Sequence, residues 1–350
     1  MKIVLYSVHM KAINKTNRYT QDVQEVLNTQ DVQEVQLVAV GATALEGKGR
    51  GLRESGHELI ARYVASLDIK PRSRETYRKS LKQFLLFLQE QGIQDPQRSD
   101  ILAYKAYLQA NYTGCTVSTY MAAVRGLFTY LEAERVCPNV ARGVKGAKQQ
   151  ADHLKDELTV QQAKRILSLI DRSTLGGLRD YALVNLLIRT GLRTVEAQRA
   201  NIEDVRQSSG NMLLYVQGKG KDSKDAFVIL TESAKAPIDE YLQARGNKAD
   251  KSAPLFASLS DKNNGERLTT RSISRIVKNA LRAAGIDSDR ITAHSLRHTA
   301  VTFSLLAGAT VQEAQLMARH ADISTTMRYA HKINRFNNSP ESRIDSLLGM

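Results

Sequence analysis

The sequence predicts a mainly α-helical protein of two domains, and three observations carry that expectation. The chain has 350 residues, more than a single hydrophobic core usually organises. Apolar residues recur at helical spacing through most of its length. Strand-like runs are confined to "MLLYV" (212–216) and "AFVIL" (226–230), which flank "QGKGKDSKD" and read as one β-hairpin with a lysine-rich tip.

At the N-terminus, residues 1–56 differ from the rest of the chain. "TQDVQEV" occurs at 20–26 and again at 29–35, a local duplication too short for a solenoid. The glycine-rich stretch "GATALEGKGRGLRESG" then reads as a linker. From 57 to 148 the pattern is helical. In "SRETYRKSLKQFLLFLQEQG" (73–92), Tyr77, Leu81, Phe84, Leu85 and Leu88 share one face, with Ser73 as N-cap and Gly92 as the stop. Arg74, Arg78, Lys79 and Lys82 lie opposite, beside Arg72, and form a candidate surface for phosphates. A second long helix follows Thr116, and a basic connector (149–155) closes the module.

The second domain, 156–350, opens with a capping box at Thr159 and Gln162. A helix over about 178–190 precedes "TGLRTVEA", and the hairpin comes next. Three further helices begin at "SISRIVKNALRAAG", at "HSLRHTA" and at Thr310, with Glu313 at N3 of the last. Ser324 can cap a final helix that carries Tyr329.

Composition narrows the function. Fifty Lys and Arg against 36 Asp and Glu give a net charge of +14, which favours a polyanionic partner, nucleic acid first. Two cysteines, Cys115 and Cys137, make neither a disulfide framework nor a metal quartet and read as inert buried thiols in helices. No apolar run reaches the ~18 residues of a membrane span, so a reducing cytoplasm is the expected setting.

Certain polar residues fall at element ends, where side chains can converge. They are Arg193, Lys219 on the hairpin tip, His294 and Arg297 at i and i+3, His320, and Tyr329 nine residues later. Each alone has an ordinary structural role. Together they supply what transfer of a phosphodiester to a tyrosine requires. Two guanidinium forks, Arg193 and Arg297, can hold the non-bridging oxygens in place of a metal ion. A phenol with a pKa near ~10 needs a base, for which His294 is a candidate. Lys219 can protonate the departing 5′-oxygen, and His320 can donate to the phosphate. Metal-ligand spacing is missing from this set.

The same stretches resemble the tyrosine recombinase, or phage integrase, family. "TGLRTVE" resembles its first arginine motif, "QGKGKDSKDAFVIL" its β-hairpin lysine motif, "HSLRHTAVTFSLLAG" its His-x-x-Arg box and "MARHADISTTMRYAHK" its histidine and tyrosine box, in the family's order. The 57–148 segment resembles the helical, SAM-like core-binding domain. The resemblance implies a two-domain C-shaped clamp on double-stranded DNA. It also implies attack by Tyr329 on a phosphate activated by Arg193, Lys219, His294, Arg297 and His320. The product would be a 3′-phosphotyrosine link, with neither ATP nor metal required.

It further implies a homotetramer that passes through a Holliday junction, with "RIDSLLG" (343–349) docking on a neighbouring protomer and accessory bending or directionality factors as further partners. Ala318 and Arg319 stand where many relatives carry Leu-Gly. Lys221 and Lys224 share the hairpin tip and are further DNA-contact candidates. Integration and excision of a mobile element is the expected role. Resolution of chromosome or plasmid dimers and a non-cleaving DNA-binding relative are the alternatives.

Overall fold

The computed structural model describes residues 56–147, 156–218, 221–246, 250–337 and 339–349. The N-terminal extension up to residue 55, the connector at 149–155 and Lys219 therefore lie outside the described residues. The chain divides into two compact units, one ending at Ala151 and the other beginning at Asp152.

The first unit comprises α1 (Gly56–Ser66), α2 (Pro71–Glu90), α3 (Arg98–Asn111) and α4 (Gly114–Ala133). Helix α2 starts two residues before the expected Ser73 cap. Pro71 occupies its first turn, where a missing N–H costs nothing and φ is already helical. The helix buries Leu81, Phe84, Leu85 and Leu88 as its spacing predicts, together with Phe87. Ile101, Tyr104 and Leu108 of α3 and the Val117, Met121, Val124, Phe128 and Leu131 stripe of α4 complete this core.

Tyr104 sits between Phe84 and Phe87, with ring centroids 4.9 and 5.2 Å away. Gly126 lets α1 approach α4, since a Cβ there would meet the Tyr63 hydroxyl at 2.1 Å. The cysteines depart from expectation. Cys115 is exposed, and Cys137 is only half-buried and lies beyond α4 in a bend. Pro138 holds the residue before it out of helical geometry.

The second unit contains α5 (Val160–Leu169), α6 (Leu175–Thr190), α7 (Thr194–Arg199), a short 3₁₀ turn (Ile202–Asp204), strands β1 (Val205–Ser208), β2 (Asn211–Val216) and β3 (Ala226–Ile229), then α8 (Glu232–Arg245), α9 (Thr270–Ala283), α10 (Ala293–Leu306), α11 (Val311–Ala318), α12 (Ile323–Asn337) and α13 (Pro340–Leu348). Helix α6 is apolar nearly all round, burying Leu183, Val184, Leu186, Leu187 and Ile188. Such a helix must be surrounded, and it lies within the core cluster of this unit with side chains from α5, α8, α9 and α10.

The sheet is antiparallel in the order β1-β2-β3, with Leu214 opposite both Val205 and Val228. The hairpin was legible in the sequence. The edge strand β1 was not, because "VRQS" has no apolar alternation to mark it. Gly191 ends α6 in the left-handed region at φ 63°, a conformation that costs a residue with a side chain about 1–2 kcal/mol. Thr310 caps α11 as expected, accepting from the Glu313 N–H. Ser324 does not cap α12 through its own side chain; Asp322 accepts from the Ser324 N–H at 2.9 Å. Among the described residues no helix is long and apolar enough to cross a membrane.

Candidate active site

The site forms where the end of α6, the first turns of α10 and the α11–α12 turn meet. The left-handed Gly191 turns the chain so that Arg193 precedes α7, and Glu196 one turn later reaches back. Its Oε2 accepts from the Arg193 N–H at 2.9 Å, and its Oε1 accepts from the Arg193 guanidinium at 2.7 Å. Glu196 is completely buried. Burial alone would raise its pKa, but Arg319 and Arg193 overcome that effect and hold the carboxyl below its usual value.

Arg297, on α10, is buried and binds two carbonyls. Nη1 donates to Gly191 O at 2.7 Å, and Nη2 donates to Ala318 O. Arg193 Nη2 donates to the next carbonyl, Arg319 O, at 3.4 Å. The two guanidiniums are therefore fixed on consecutive carbonyls of one turn. Burial, with Arg193 and Arg319 close by, pushes the Arg297 pKa down to about 9. That value still leaves it charged at neutral pH.

His320 comes next on the same turn. Its Nδ1 lies 2.8 Å from Thr326 Oγ1. With the Thr326 hydroxyl as donor, the ring proton resides on Nε2, available to a phosphate oxygen. Burial first, and then Arg297, Arg193 and Arg319, lower the His320 pKa to about 4. The ring is neutral at neutral pH.

Tyr329 is 5% exposed and packs against Val301 and Ala318, with Leu305 and Met317 around them. Its hydroxyl meets Nδ1 of His298. Burial raises the phenol pKa to about 12, although Arg297 pulls in the other direction. Tyr329 is thus a packing residue whose hydroxyl is set against a histidine nitrogen. His294, the base candidate from the sequence, is exposed one turn earlier on α10. Its ring stands edge-on to that of His298, with centroids 4.7 Å apart. An open cleft of about 400 Å³ beside it is lined by Thr194, Lys278, Thr292 and His294.

The structure thus gathers Arg193, Arg297, His320 and Tyr329, with His294 one ring removed from the tyrosine. Sequence reasoning missed His298 and Glu196 as members of the site. His298 directly follows Arg297 and lies four residues after His294, so helical spacing places it on the same face as His294. Glu196 stands at the third position after Arg193, the spacing of a capping box.

The other cations suggested by the sequence are spread over both units. Arg72 and Lys79 are exposed and Lys82 is half-buried. Arg74 donates to Leu67 O at 2.8 Å, and Arg78 pairs with Glu75. Lys221 lies 3.6 Å from Asp225 on the hairpin. Lys224 reaches the buried Asp204 at 2.5 Å, tying the hairpin to the turn before β1. Among the described residues no group of three or more His, Cys, Asp or Glu side chains could hold a metal ion.

A tyrosine hydroxyl set against His298, near a turn that fixes two arginines and carries His320, is a constellation chemically able to transfer a phosphoryl group. Comparison with known proteins gives that site a family. The chain matches the phage integrase family over residues 156–335 and the phage integrase N-terminal SAM-like domain over 60–135. It is 29% identical over 262 residues to the tyrosine recombinase XerD of Listeria monocytogenes serotype 4b (strain F2365), covering 73% of this chain and 86% of that protein.

Among solved structures, the XerH site-specific recombinase in a post-cleavage complex with its difH substrate superposes with a TM-score of 0.65 at 20% identity, covering 85% of this chain and 84% of that one. A lambda integrase tetramer bound to a Holliday junction gives 0.61 at 18% identity, covering 78% and 76%. The chain belongs to the phage integrase family, and its enzyme class is that of the tyrosine recombinases, which break and rejoin DNA strands.

Proposed function

We propose that this protein cuts and rejoins double-stranded DNA at a specific site, with Tyr329 as the nucleophile. The Tyr329 hydroxyl lying on His298, with Arg297 and His320 at the same turn, carries the reading. The phenol oxygen attacks phosphorus while His298 takes its proton. The bond to the 5′-oxygen breaks, and the strand is left as a 3′-phosphotyrosine ester with a free 5′-hydroxyl once Lys219 has protonated the leaving oxygen. Arg193 and Arg297 hold the non-bridging oxygens, and His320 donates a further hydrogen bond. Attack by a 5′-hydroxyl from a partner duplex reverses the step and conserves the bond energy.

The surplus of positive charge, +14 over the chain, suits a long polyanion, and an open cleft lies beside His294. The assembly we propose is four copies on two duplexes, as in the lambda integrase tetramer on a Holliday junction, acting in the cytoplasm on the nucleoid. The role is integration and excision of a mobile element, served by the N-terminal extension. Similarity to XerD and XerH supports a second reading, the resolution of chromosome or plasmid dimers.

The test is to express the wild type and Tyr329→Phe in cells of the source organism, denature the lysates and sequence DNA still joined to protein. Adducts from the wild type alone are expected, and their sequences define the site. Adducts from the Phe variant, or none from either protein, contradict the assignment.

A further inference from the structure

Arg319 is held in a backbone conformation that suits another residue. It terminates α11 at φ 54° and ψ 47°, left-handed geometry that glycine enters without strain and that arginine does not. Its side chain does not extend into solvent. The side chain is 13% exposed, and its guanidinium donates to Met317 O at 2.9 Å and to Glu196 Oε2 at 2.7 Å and leaves its buried Nε without a partner. Glu196 is already capped and paired by Arg193. Its own needs therefore do not explain a second guanidinium.

Charge arithmetic gives a reason for one. Arg193, Arg297 and Arg319 bring three positive charges to one negative, Glu196, which leaves a surplus of two on side chains that range from buried to partly exposed. Unpaired buried charge is unfavourable unless an anion arrives to meet it. A phosphodiester carries one negative charge. When a phenolate has added to it, the five-coordinate phosphorus carries two. A surplus of two thus matches the transition state better than the ground state, which is the condition for acceleration rather than mere binding.

We propose that Arg319 is a positioning residue for phosphoryl transfer. It shares the Glu196 carboxylate with Arg193, so that this one negative charge only partly offsets Arg193 and the pocket keeps a surplus of two for the scissile phosphate. The proposal rests on the recombinase reading. Without Arg319, Glu196 turns wholly to Arg193, and the surplus falls to one.

The test uses the full chain and a duplex bearing the site recovered from the adducts, with single-turnover formation of the Tyr329 adduct as the readout. Arg319→Gly removes the charge and suits the backbone. It is expected to slow cleavage about 10- to 100-fold, less than the ~100- to 1,000-fold typical of a donor that touches the reacting oxygen. Duplex affinity is expected to stay within about 3-fold, because many other phosphates hold the DNA. Arg319→Lys should restore most of the rate. Glu196→Gln in the Arg319→Gly background should also restore it, since a neutral amide no longer draws on Arg193.

Cleavage by Arg319→Gly at the wild-type rate would make Arg319 a turn residue only. Equal losses in rate and affinity would make it a DNA backbone contact. Failure of Glu196→Gln to restore the rate would break the link through the carboxylate. Should the glycine variant not fold, Arg319→Lys against Arg319→Gln gives the same decision, the charged variant remaining fast and the neutral one slow. A wild type that forms no adduct overturns the recombinase reading and this proposal together. An active wild type with an equally active glycine variant overturns the proposal alone.

Discussion

At the scale of single residues, the histidine that touches the Tyr329 hydroxyl comes after the arginine instead of before it. His298 meets the Tyr329 hydroxyl, whereas the His294 ring stands edge-on to that of His298. A phenol raised to about 12 by burial loses its proton at neutral pH only to an adjacent acceptor. We therefore expect His298→Gln to slow adduct formation by about 100- to 10,000-fold at neutral pH. The defect should shrink as hydroxide takes over at higher pH. A pH–rate profile of both proteins checks this, and a near-normal neutral rate would return the role to His294. His320 makes a prediction about stability. Its folded pKa, about 4, lies below the ~6.5 of an unfolded histidine, so the unfolded chain binds the extra proton between those values. Its contribution is fully present above ~6.5 and is lost as pH falls towards 4. Thermal unfolding should show a smaller drop from pH 7 to pH 5 in His320→Gln than in the wild type, and parallel drops would contradict the neutral, buried ring.

At the scale of elements, what was legible was what periodicity and caps encode. The stripes of α2 and α4, the capping boxes at Thr159 and Thr310 and the β2–β3 hairpin all came from local spacing. Local spacing also put Arg193 and His320 at helix ends and Arg297 near a helix start, whereas Tyr329, expected at an element end, lies in the middle of α12. Spacing did not encode which partners would meet across the fold. Glu196 bridging Arg193 to Arg319 spans 123 residues on one side, and the edge strand β1 exists only because β2 supplies its hydrogen bonds. Gly191 joins the two levels. Its positive φ ends α6, and its carbonyl holds Arg297. In Gly191→Ala the new Cβ would stand 3.3 Å from that of Ala300, in addition to the left-handed strain. A loss of about 1–2 kcal/mol in urea unfolding is expected, with slower cleavage as the carbonyl shifts. An unchanged midpoint would mean that the turn absorbs the methyl freely.

At the scale of the whole molecule, α13 leaves its apolar face uncovered. Ser339 and Pro340 start it cleanly, and Arg335 of α12 pairs with Glu341 in its first turn. Yet none of its residues is buried, and Ile344, Leu347 and Leu348 are 53%, 85% and 67% exposed. Their spacing of three and four places them on one face, and an apolar face of this kind marks a surface awaiting a protein. A second copy of the chain is the partner that fits the four-copy assembly proposed above. Because α13 comes directly after the helix that carries Tyr329, docking it on a neighbour would couple the position of Tyr329 in one copy to the next copy's occupancy. A chain ending at Ser339 keeps Arg193, His298, Arg297, His320 and Tyr329 in place. It should still bind a single site and form adduct on it, within about 10-fold of the full chain, whereas assembly on two sites and strand exchange between them should be lost. Gel mobility on one-site and two-site duplexes, read beside exchange on a two-site plasmid, separates these steps. Exchange by the shortened chain would show that α13 is dispensable to assembly, while loss of single-site cleavage would show that it supports Tyr329 within its own copy.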